Sequence, residues 1–160
     1  ALSGKGELEA ALKDLNDAIK IDEANAQAWY SRGLIHGKMG ADDAAVDDYS
    51  KALAINPNDP SYYCLRGVVY TRKGMLAEAL DDYNKAIEIN PQYANAYFNR
   101  GLVFRIMNNL EKAVADFTKV ILLDPKYVKA YQNRAVVYQT LGHKDKARDD
   151  MAAARQLGAK

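Results

Sequence analysis

A single repeat period of about 34 residues runs through this sequence. Proline, glycine, alanine and aromatic residues each recur at that interval, and small or apolar residues replace them where a series changes. The series are Pro57, Pro91 and Pro125; Gly33, Gly67, Gly101 and Ala135; Ala11, Ala45, Ala79, Ala113 and Ala147; Ala18, Ala52, Ala86, Val120 and Ala154; Trp29, Tyr63, Tyr97 and Tyr131; and Tyr49, Tyr83, Phe117 and Met151. Self-similarity at one period is the mark of a repeat architecture, in which each unit is one supersecondary element.

Each unit contains two amphipathic helical patterns, with apolar residues at i, i+3 and i+4 spacing. Gly40 or Gly74 suits the tight turn after the first helix, since glycine accepts a positive φ. The second helix ends before proline, because the residue preceding proline leaves the α region. The sequence predicts helices near 7–20, 26–39, 42–55, 60–73, 76–89, 94–107, 110–123, 128–141 and 144–157, and no strand.

Residues 26–59 show the pattern most completely, and they resemble the tetratricopeptide repeat family. The residues at the family's signature positions are Trp29, Gly33, Gly40, Ala45, Tyr49, Ala52 and Pro57. Arg32 and His36 depart from the usual Leu and Tyr, and Asn108 replaces the turn glycine. The resemblance implies an all-α, right-handed superhelical solenoid of antiparallel helix pairs, with the first helix of each pair lining the concave side. It also implies a protein–protein interaction scaffold. The lone His36 and His143, the isolated Cys64 and the lack of a Gly-rich phosphate loop give no catalytic or metal-ligand pattern, so we expect no enzyme activity, metal or cofactor.

The predicted organisation is a single array over residues 1–160. Residues 1–25 are expected to be a truncated repeat with only its second helix, followed by full repeats at 26–59, 60–93 and 94–127 and a C-terminal repeat or cap at 128–160. Arg148 and Arg155 stand at second-helix positions that are apolar in every earlier repeat, as expected of a polar terminal cap. We therefore expect the array to be truncated at Ala1 and to end at Lys160.

Two charged series also follow the period. One is arginine in the first helices and the other is aspartate in the second helices: Arg32, Arg66, Arg100 and Arg134, and Asp14, Asp48, Asp82, Asp116 and Asp150. Antiparallel helices place each arginine opposite the aspartate of its own second helix, and also near the aspartate of the preceding second helix. The series is either a track for a charged ligand or a set of internal ion pairs that fix register, and we favour the internal pairs.

The resemblance also maps the inward-facing positions of the first helices, which form an apolar floor with basic residues at its rim. The predicted peptide-binding residues are Tyr30, Leu34, Leu65, Val68, Arg72, Phe98, Asn99, Leu102, Arg105, Lys129, Asn133 and Val136. The inward set contains no acidic residue, and its cations are Lys38, Arg72, Arg105 and Lys129. Such a surface suits a partner peptide with apolar anchors and acidic groups or a C-terminal carboxylate, although some of these residues are expected only to pack between hairpins.

One subtype of the family grips acidic chaperone tails with a two-carboxylate clamp of Lys, Asn, Asn, Lys and Arg. Asn99, Lys129 and Asn133 stand at clamp positions, but Cys64 and Val68 replace the first Lys and Asn, and Asn133 stands where Arg is expected. Chaperone-tail binding is therefore not predicted. The two amides are still expected to be able to hydrogen-bond the backbone of an extended peptide.

Two other functions remain open at this point. One is a structural block that self-associates end to end through the truncated N-terminal end, and the other is a repeat region cut from a larger enzyme. A net charge of +1 gives no argument for nucleic acid, and no apolar run approaches the roughly 20 residues of a membrane span. The single cysteine, Cys64, excludes an internal disulfide and is compatible with the cytoplasmic location that we expect.

Overall fold

The computed structural model describes residues 2–158, with side chains from residue 6 onward, so the expected array limits at Ala1 and Lys160 lie outside the described residues. Over that range the chain is all-α. Its helices are α1 (Leu2–Ile21), α2 (Ala26–Met39), α3 (Asp42–Ile55), α4 (Pro60–Arg72), α5 (Leu76–Ile89), α6 (Ala94–Ile106), α7 (Leu110–Leu123), α8 (Val128–Thr140) and α9 (Lys144–Gly158).

The helix limits confirm the predictions to within one residue, except at the start of α1. That helix begins at Leu2 and not near residue 7, and it includes Gly4 and Gly6. Glycine in a helix costs about 1 kcal/mol relative to alanine, which weakens a helix but does not end it. The predicted start near residue 7, which rested on the register of a second helix in the repeat, was wrong.

The turns between paired helices have the backbone conformation that their residues predict. Gly40, Gly74 and Gly142 have φ values of 76°, 76° and 80°, and Asn108 has a φ of 57° at the equivalent position. Asparagine is among the few residues that enter the left-handed region routinely, which explains how it replaces glycine in this turn.

The turns between successive pairs have a different backbone conformation. Asn56 and Asp124 are extended, with φ of −129° and −137°, as expected of residues that precede proline. The side chain of Asp124 accepts a hydrogen bond from the backbone N–H of Lys126 at 2.9 Å, and Asn56 does the same for Asn58 at 3.3 Å. These side-chain bonds satisfy backbone N–H groups of the turn that follows the helix and so favour a turn at this point.

The helices fall into two compact units, Ala1–Asp82 and Tyr83–Lys160, with the division inside α5. In the first unit α1 packs on α2, α2 pairs with α3, and α3 packs on α4. In the second unit α6 pairs with α7, α7 packs on α8, and α8 pairs with α9. The core of the second unit includes Phe98, Ala113, Phe117, Val120, Ala130 and Val137.

Close approach of paired helices depends on a small residue opposite a ring. A Cβ atom at Gly33 would lie 2.8 Å from Cε1 of the buried Tyr49, and one at Gly101 would lie 2.9 Å from Cε1 of Phe117. Ala135 occupies the same position in the last pair, where Met151 replaces the ring. A flexible thioether accommodates the extra methyl group that a buried ring would exclude.

Gly33→Ala should therefore lower the free energy of unfolding by about 1–3 kcal/mol, the usual cost of overpacking a core. Gly37→Ala is the matched control, because its Cβ would lie 3.8 Å from Arg72 Nη2, an ordinary contact. That control should raise the free energy of unfolding by about 0.5–1 kcal/mol. The measurement is urea denaturation followed by circular dichroism, and equal stabilisation by both changes would contradict the steric explanation.

Candidate functional site

Every first helix of a pair carries an arginine whose guanidinium makes two bonds to a buried carboxylate. The Nη2–Oδ1 distances are 2.6 Å for Arg32–Asp48, 2.8 Å for Arg66–Asp82, 2.7 Å for Arg100–Asp116 and 2.7 Å for Arg134–Asp150. Nε of each arginine bonds the same carboxylate, and the aspartates are only 2–6% exposed. These four arginine–aspartate pairs are thus internal, as favoured from the sequence, and do not form a ligand track.

The second partner of each arginine differs from the prediction. Nη1 donates to a polar side chain of the preceding second helix, namely Asn16, Ser50, Asn84 or Thr118, at 2.7–2.9 Å. The predicted partner was the aspartate two positions before that side chain, such as Asp48 for Arg66. Two positions along a helix correspond to a rotation of about 200°, so when Asp48 faces its own first helix, Ser50 faces the next one. This polar series recurs at the same period and was detectable in the sequence.

Aromatic rings flank the arginines. The guanidinium of Arg66 lies 5.8 Å from the ring centroids of both Tyr63 and Tyr70, and Arg134 is placed similarly between Tyr131 and Tyr138. The carboxylate bonds raise the pKa of Arg66 and Arg134 further above its usual value. These cations are held inside the hairpins and stay charged.

The first full pair departs from this arrangement at His36. This residue stands where Tyr70 and Tyr138 stand in later pairs, and its Nδ1 lies 2.8 Å from Asp48 Oδ2. His36 is therefore a packed helix residue and shares the Asp48 carboxylate with Arg32. Among the described residues, no group of three or more His, Cys, Asp or Glu side chains is arranged to hold a metal ion.

In the first unit, four of the predicted peptide-binding residues line one shallow groove. Leu34 on α2 and Leu65, Val68 and Arg72 on α4 surround about 310 Å³, together with Gly37, Lys38, Tyr49 and Val69. Tyr30 packs instead against Tyr62, with ring centroids 5.0 Å apart. The groove has an apolar floor, while Lys38 and Arg72 supply two exposed cations.

The basic rim of this groove is partly neutralised. Arg72 Nε donates to Asp42 Oδ2 at 2.9 Å, and Nη2 also bonds the same carboxylate. Lys73 pairs with the adjacent Asp43. The hydrogen bond from Arg72 lowers the pKa of Asp42 and raises that of Arg72. This pair was not predicted, because the predicted surface comprises first-helix positions alone and Asp42 begins a second helix.

In the second unit, the predicted residues are placed less uniformly. Phe98 is only 9% exposed, and its ring centroid lies 5.8 Å from Phe117 and 5.0 Å from Tyr127, so it is a core residue. Leu102 packs on the same cluster. The remaining predicted residues reach the surface to different extents: Asn99, Arg105 and Asn133 are half-buried, while Lys129 and Val136 are exposed.

The side-chain amide of Asn133 is engaged within its own helix. Its Nδ2 donates to the backbone carbonyl oxygen of Lys129 at 2.8 Å. The amide oxygen of Asn133 is an acceptor that this bond does not use. Cys64, at a clamp position of the chaperone-binding subtype, is buried and presents no cation.

Comparison with known families assigns the chain. A model described as TPR repeat matches residues 4–40 and 69–105, and two models described as tetratricopeptide repeat match residues 26–59 and 94–127, and 49–81 and 117–149. Together these matches extend from residue 4 to residue 149. The chain belongs to the tetratricopeptide repeat family. None of the curated proteins matches it significantly in sequence.

Solved structures show the same fold. MamA is 24% identical, with a TM-score of 0.88 over 98% of this chain and 92% of that one. YrrB, described as a TPR protein with an unusual peptide-binding site, is 26% identical, with a TM-score of 0.77 over 98% and 80%. The first TPR of Spaghetti (RPAP3), bound to the HSP90 peptide SRMEEVD, is 30% identical, with a TM-score of 0.72 over 76% and 96%.

These findings make the chain a protein-interaction scaffold of a family whose fold is typically non-catalytic. None of the described helices combines the length and the apolar character that crossing a membrane requires.

Asp116→Ala should lower the free energy of unfolding by roughly 3–5 kcal/mol, because it leaves the guanidinium of Arg100 without its carboxylate. Asn84→Ala removes a neutral acceptor from the same guanidinium and should cost only about 1 kcal/mol. Chemical denaturation of both variants measures the difference. Similar losses for the two would contradict the assignment of Asp116 as the main partner.

Proposed function

We propose that the protein holds an extended segment of a partner protein along the first helices of its pairs. The segment carries apolar side chains separated by acidic groups. The observation that supports this most directly is the groove between α2 and α4, where Leu34, Leu65 and Val68 lie beside Lys38 and Arg72.

The floor of the groove supplies affinity through apolar burial. Leu34, Leu65 and Val68 are half-buried and retain accessible surface on the groove side. Each square ångström of apolar surface removed from water contributes about 25 cal/mol. One or two aliphatic side chains of a peptide match the dimensions of the groove, whereas its openness to solvent suits an extended chain better than an enclosed small molecule.

The cations at the rim of the groove favour an acidic peptide. Lys38 is exposed, and Arg72 is held by Asp42. A peptide carboxylate that replaces Asp42 beside Arg72 gains a bidentate partner, while Lys38 adds attraction that Asp42 does not cancel. A basic peptide would meet both cations, and the residues that line the groove include no carboxylate.

The second unit offers a comparable set of residues. Leu102 provides apolar surface above the core residue Phe98, and Arg105 and Lys129 provide cations. Asn99, Asn133 and Val136 complete the proposed surface. An asparagine amide suits the backbone of an extended peptide, because it both donates and accepts hydrogen bonds.

Two of the similar structures support a peptide ligand in general terms. YrrB has a peptide-binding site, and the RPAP3 domain holds an HSP90 peptide. The HSP90 sequence itself is not extended to this chain, because Cys64 and Val68 stand where the chaperone clamp has Lys and Asn.

The experiment is selection of peptides from a random displayed library on the immobilised protein, followed by titration calorimetry of the enriched sequences. We expect enrichment of aliphatic residues together with Asp and Glu. Lys38→Glu should then weaken binding roughly tenfold, equivalent to about 1.4 kcal/mol, with a smaller effect at high salt. Lys51→Glu makes the same charge change at an exposed site on α3 outside the groove and should leave binding unchanged. Enrichment of basic peptides, or equal effects of the two variants, would contradict the proposal.

A second test concerns Asp42, which competes with a peptide carboxylate for Arg72. Asp42→Asn should raise the affinity for an acidic selected peptide several-fold, since the peptide carboxylate no longer displaces Asp42 from Arg72. Asp47→Asn is the matched control, because Asp47 is a second-helix aspartate on the same helix that lines a different surface. Titration calorimetry measures both. Weaker binding in Asp42→Asn would show that Asp42 itself takes part in recognition and that Arg72 is not the anion site.

A further inference from the structure

The solvent-facing side of α7 departs from the repeat at two positions. Position 115 is alanine where the other pairs have aspartate, and position 122 is leucine where they have alanine, glutamate or glutamine. The equivalent residues are Asp47, Asp81 and Asp149, and Ala54, Glu88 and Gln156. Leu122 is 73% exposed. A single exposed leucine is ordinary on a protein surface, but Ala115 and Leu122 lie two helical turns apart and so form one apolar strip along α7.

Two lysines lie on the same side of this helix. Lys112 and Lys119 are three or four residues from Ala115, and such residues are neighbours on a helix surface. Their Nζ atoms lie 5.4 Å from the ring centroid of Phe104 and 5.9 Å from that of Tyr97, respectively. These cation–π contacts favour a fixed position for the two ammonium groups. The α7 strip, formed by Lys112, Ala115, Lys119 and Leu122, thus combines an exposed aliphatic side chain with two cations.

The equivalent side of α3 carries a hollow. A space of about 410 Å³ lies beside Trp29 on α2 and Asp47, Lys51 and Ala54 on α3, and these residues define the α3 hollow. Ala54 is the equivalent of Leu122, so α3 has a small side chain where α7 has a projecting one. Trp29 is half-buried and Ala54 is exposed, which gives the hollow an apolar wall, while the exposed Asp47 gives it an anion.

The two compact units carry opposite excesses of charge. Residues 1–82, the unit that contains the α3 hollow, have 9 Lys and Arg and 14 Asp and Glu. Residues 83–160, the unit that contains the α7 strip, have 13 Lys and Arg and 7 Asp and Glu. Opposite excesses attract when unlike units of two molecules meet, and equal excesses repel when like units meet. A contact between an α7 strip and an α3 hollow is therefore favoured over a contact between two α7 strips.

We infer that the protein self-associates through these two surfaces, with Leu122 of one copy seated in the α3 hollow of a second copy. The contact removes the apolar surface of Leu122 and of the Trp29 ring from water. Lys119, about one turn from Leu122, then pairs with Asp47 of the second copy. Because unlike surfaces meet, each copy keeps one unused strip or hollow, and association can continue beyond two copies. The contact uses the sides of internal helices and is therefore distinct from end-to-end stacking.

A second copy suits the α7 strip better than an acidic helix of another protein. This chain itself supplies a hollow, an apolar wall and an anion for the side chains that the strip presents. Lys51 is the one unfavourable group of the hollow, since it has the same sign of charge as Lys119. Removing the charge of Lys51 should therefore strengthen the contact, whereas most surface changes would weaken it or leave it unchanged.

The first test is sedimentation velocity of the whole protein over a range of concentrations. The wild type should associate, and Leu122→Glu should raise the dissociation constant at least tenfold. Glutamate occurs naturally at the equivalent position, Glu88, so this change is compatible with the fold. The matched control is Ile106→Glu, at another exposed aliphatic residue of the same unit, which should associate like the wild type. A wild type that stays monomeric at its highest soluble concentration, or equal effects of the two variants, would overturn the inference.

The second test changes the hollow. Ala54→Lys fills it with a cationic side chain and should weaken association at least tenfold, while Lys51→Glu should strengthen association several-fold. Gln27→Lys is the matched control, because it adds the same charge at an exposed position of α2 that does not line the hollow. Wild-type association of Ala54→Lys would show that two α7 strips or other surfaces meet, and it would overturn the inference. Weaker association of Lys51→Glu would do the same.

The third test mixes two variants that should not self-associate. The Leu122→Glu variant keeps its hollow and Trp29, the only tryptophan of the chain. Its partner carries Ala54→Lys and Trp29→Tyr and keeps its α7 strip; tyrosine is the residue that Tyr63 places at the equivalent position. The mixture should form a 1:1 complex and nothing larger, and tryptophan emission should move to shorter wavelength as Leu122 covers Trp29. No complex, or a complex without that emission change, would overturn the inference.

Discussion

The arrangement of every helix pair depends on one buried arginine–carboxylate contact. The guanidinium meets the aspartate of its own second helix through two bonds and a polar side chain of the preceding helix through a third, so one side chain joins three helices. Removing both charges from water offsets much of their attraction. The directional bonds therefore contribute chiefly to register, and the rings of Tyr63 and Tyr70 lie within cation–π distance of the same guanidinium.

The small residue that follows each arginine allows the two helices of the pair to approach closely. Gly33 and Gly101 let Asp48 and Asp116 approach, since a Cβ on either glycine would also lie 3.2 Å from the Cβ of that aspartate. The change from glycine to Ala135 accompanies the change from a ring to Met151. The two requirements, a charge pair and a volume match, are satisfied by adjacent residues, and this explains why arginine and a small residue repeat together.

Features that one residue type marks at the repeat period could be predicted, and features without such a mark could not. The helix limits, the positive φ of Asn108 and the Arg32–Asp48 pair all follow from positions that recur from one repeat to the next. The polar partners of the arginines were missed because Asn, Ser and Thr alternate there, so no single residue type marks the series. Arg72–Asp42 joins residues 30 apart and has no counterpart at the period, and its geometry depends on side-chain reach across two helices.

This distinction bears on where a peptide binds in the proposed mode. The repeated arginine and aspartate side chains already bond each other inside the pairs, so a bound peptide would be recognised by side chains that vary from one repeat to the next. Lys38 and Arg72 are such residues, and Asp42 already pairs with Arg72. A peptide carboxylate at Arg72 would therefore exchange with an internal carboxylate at the same guanidinium.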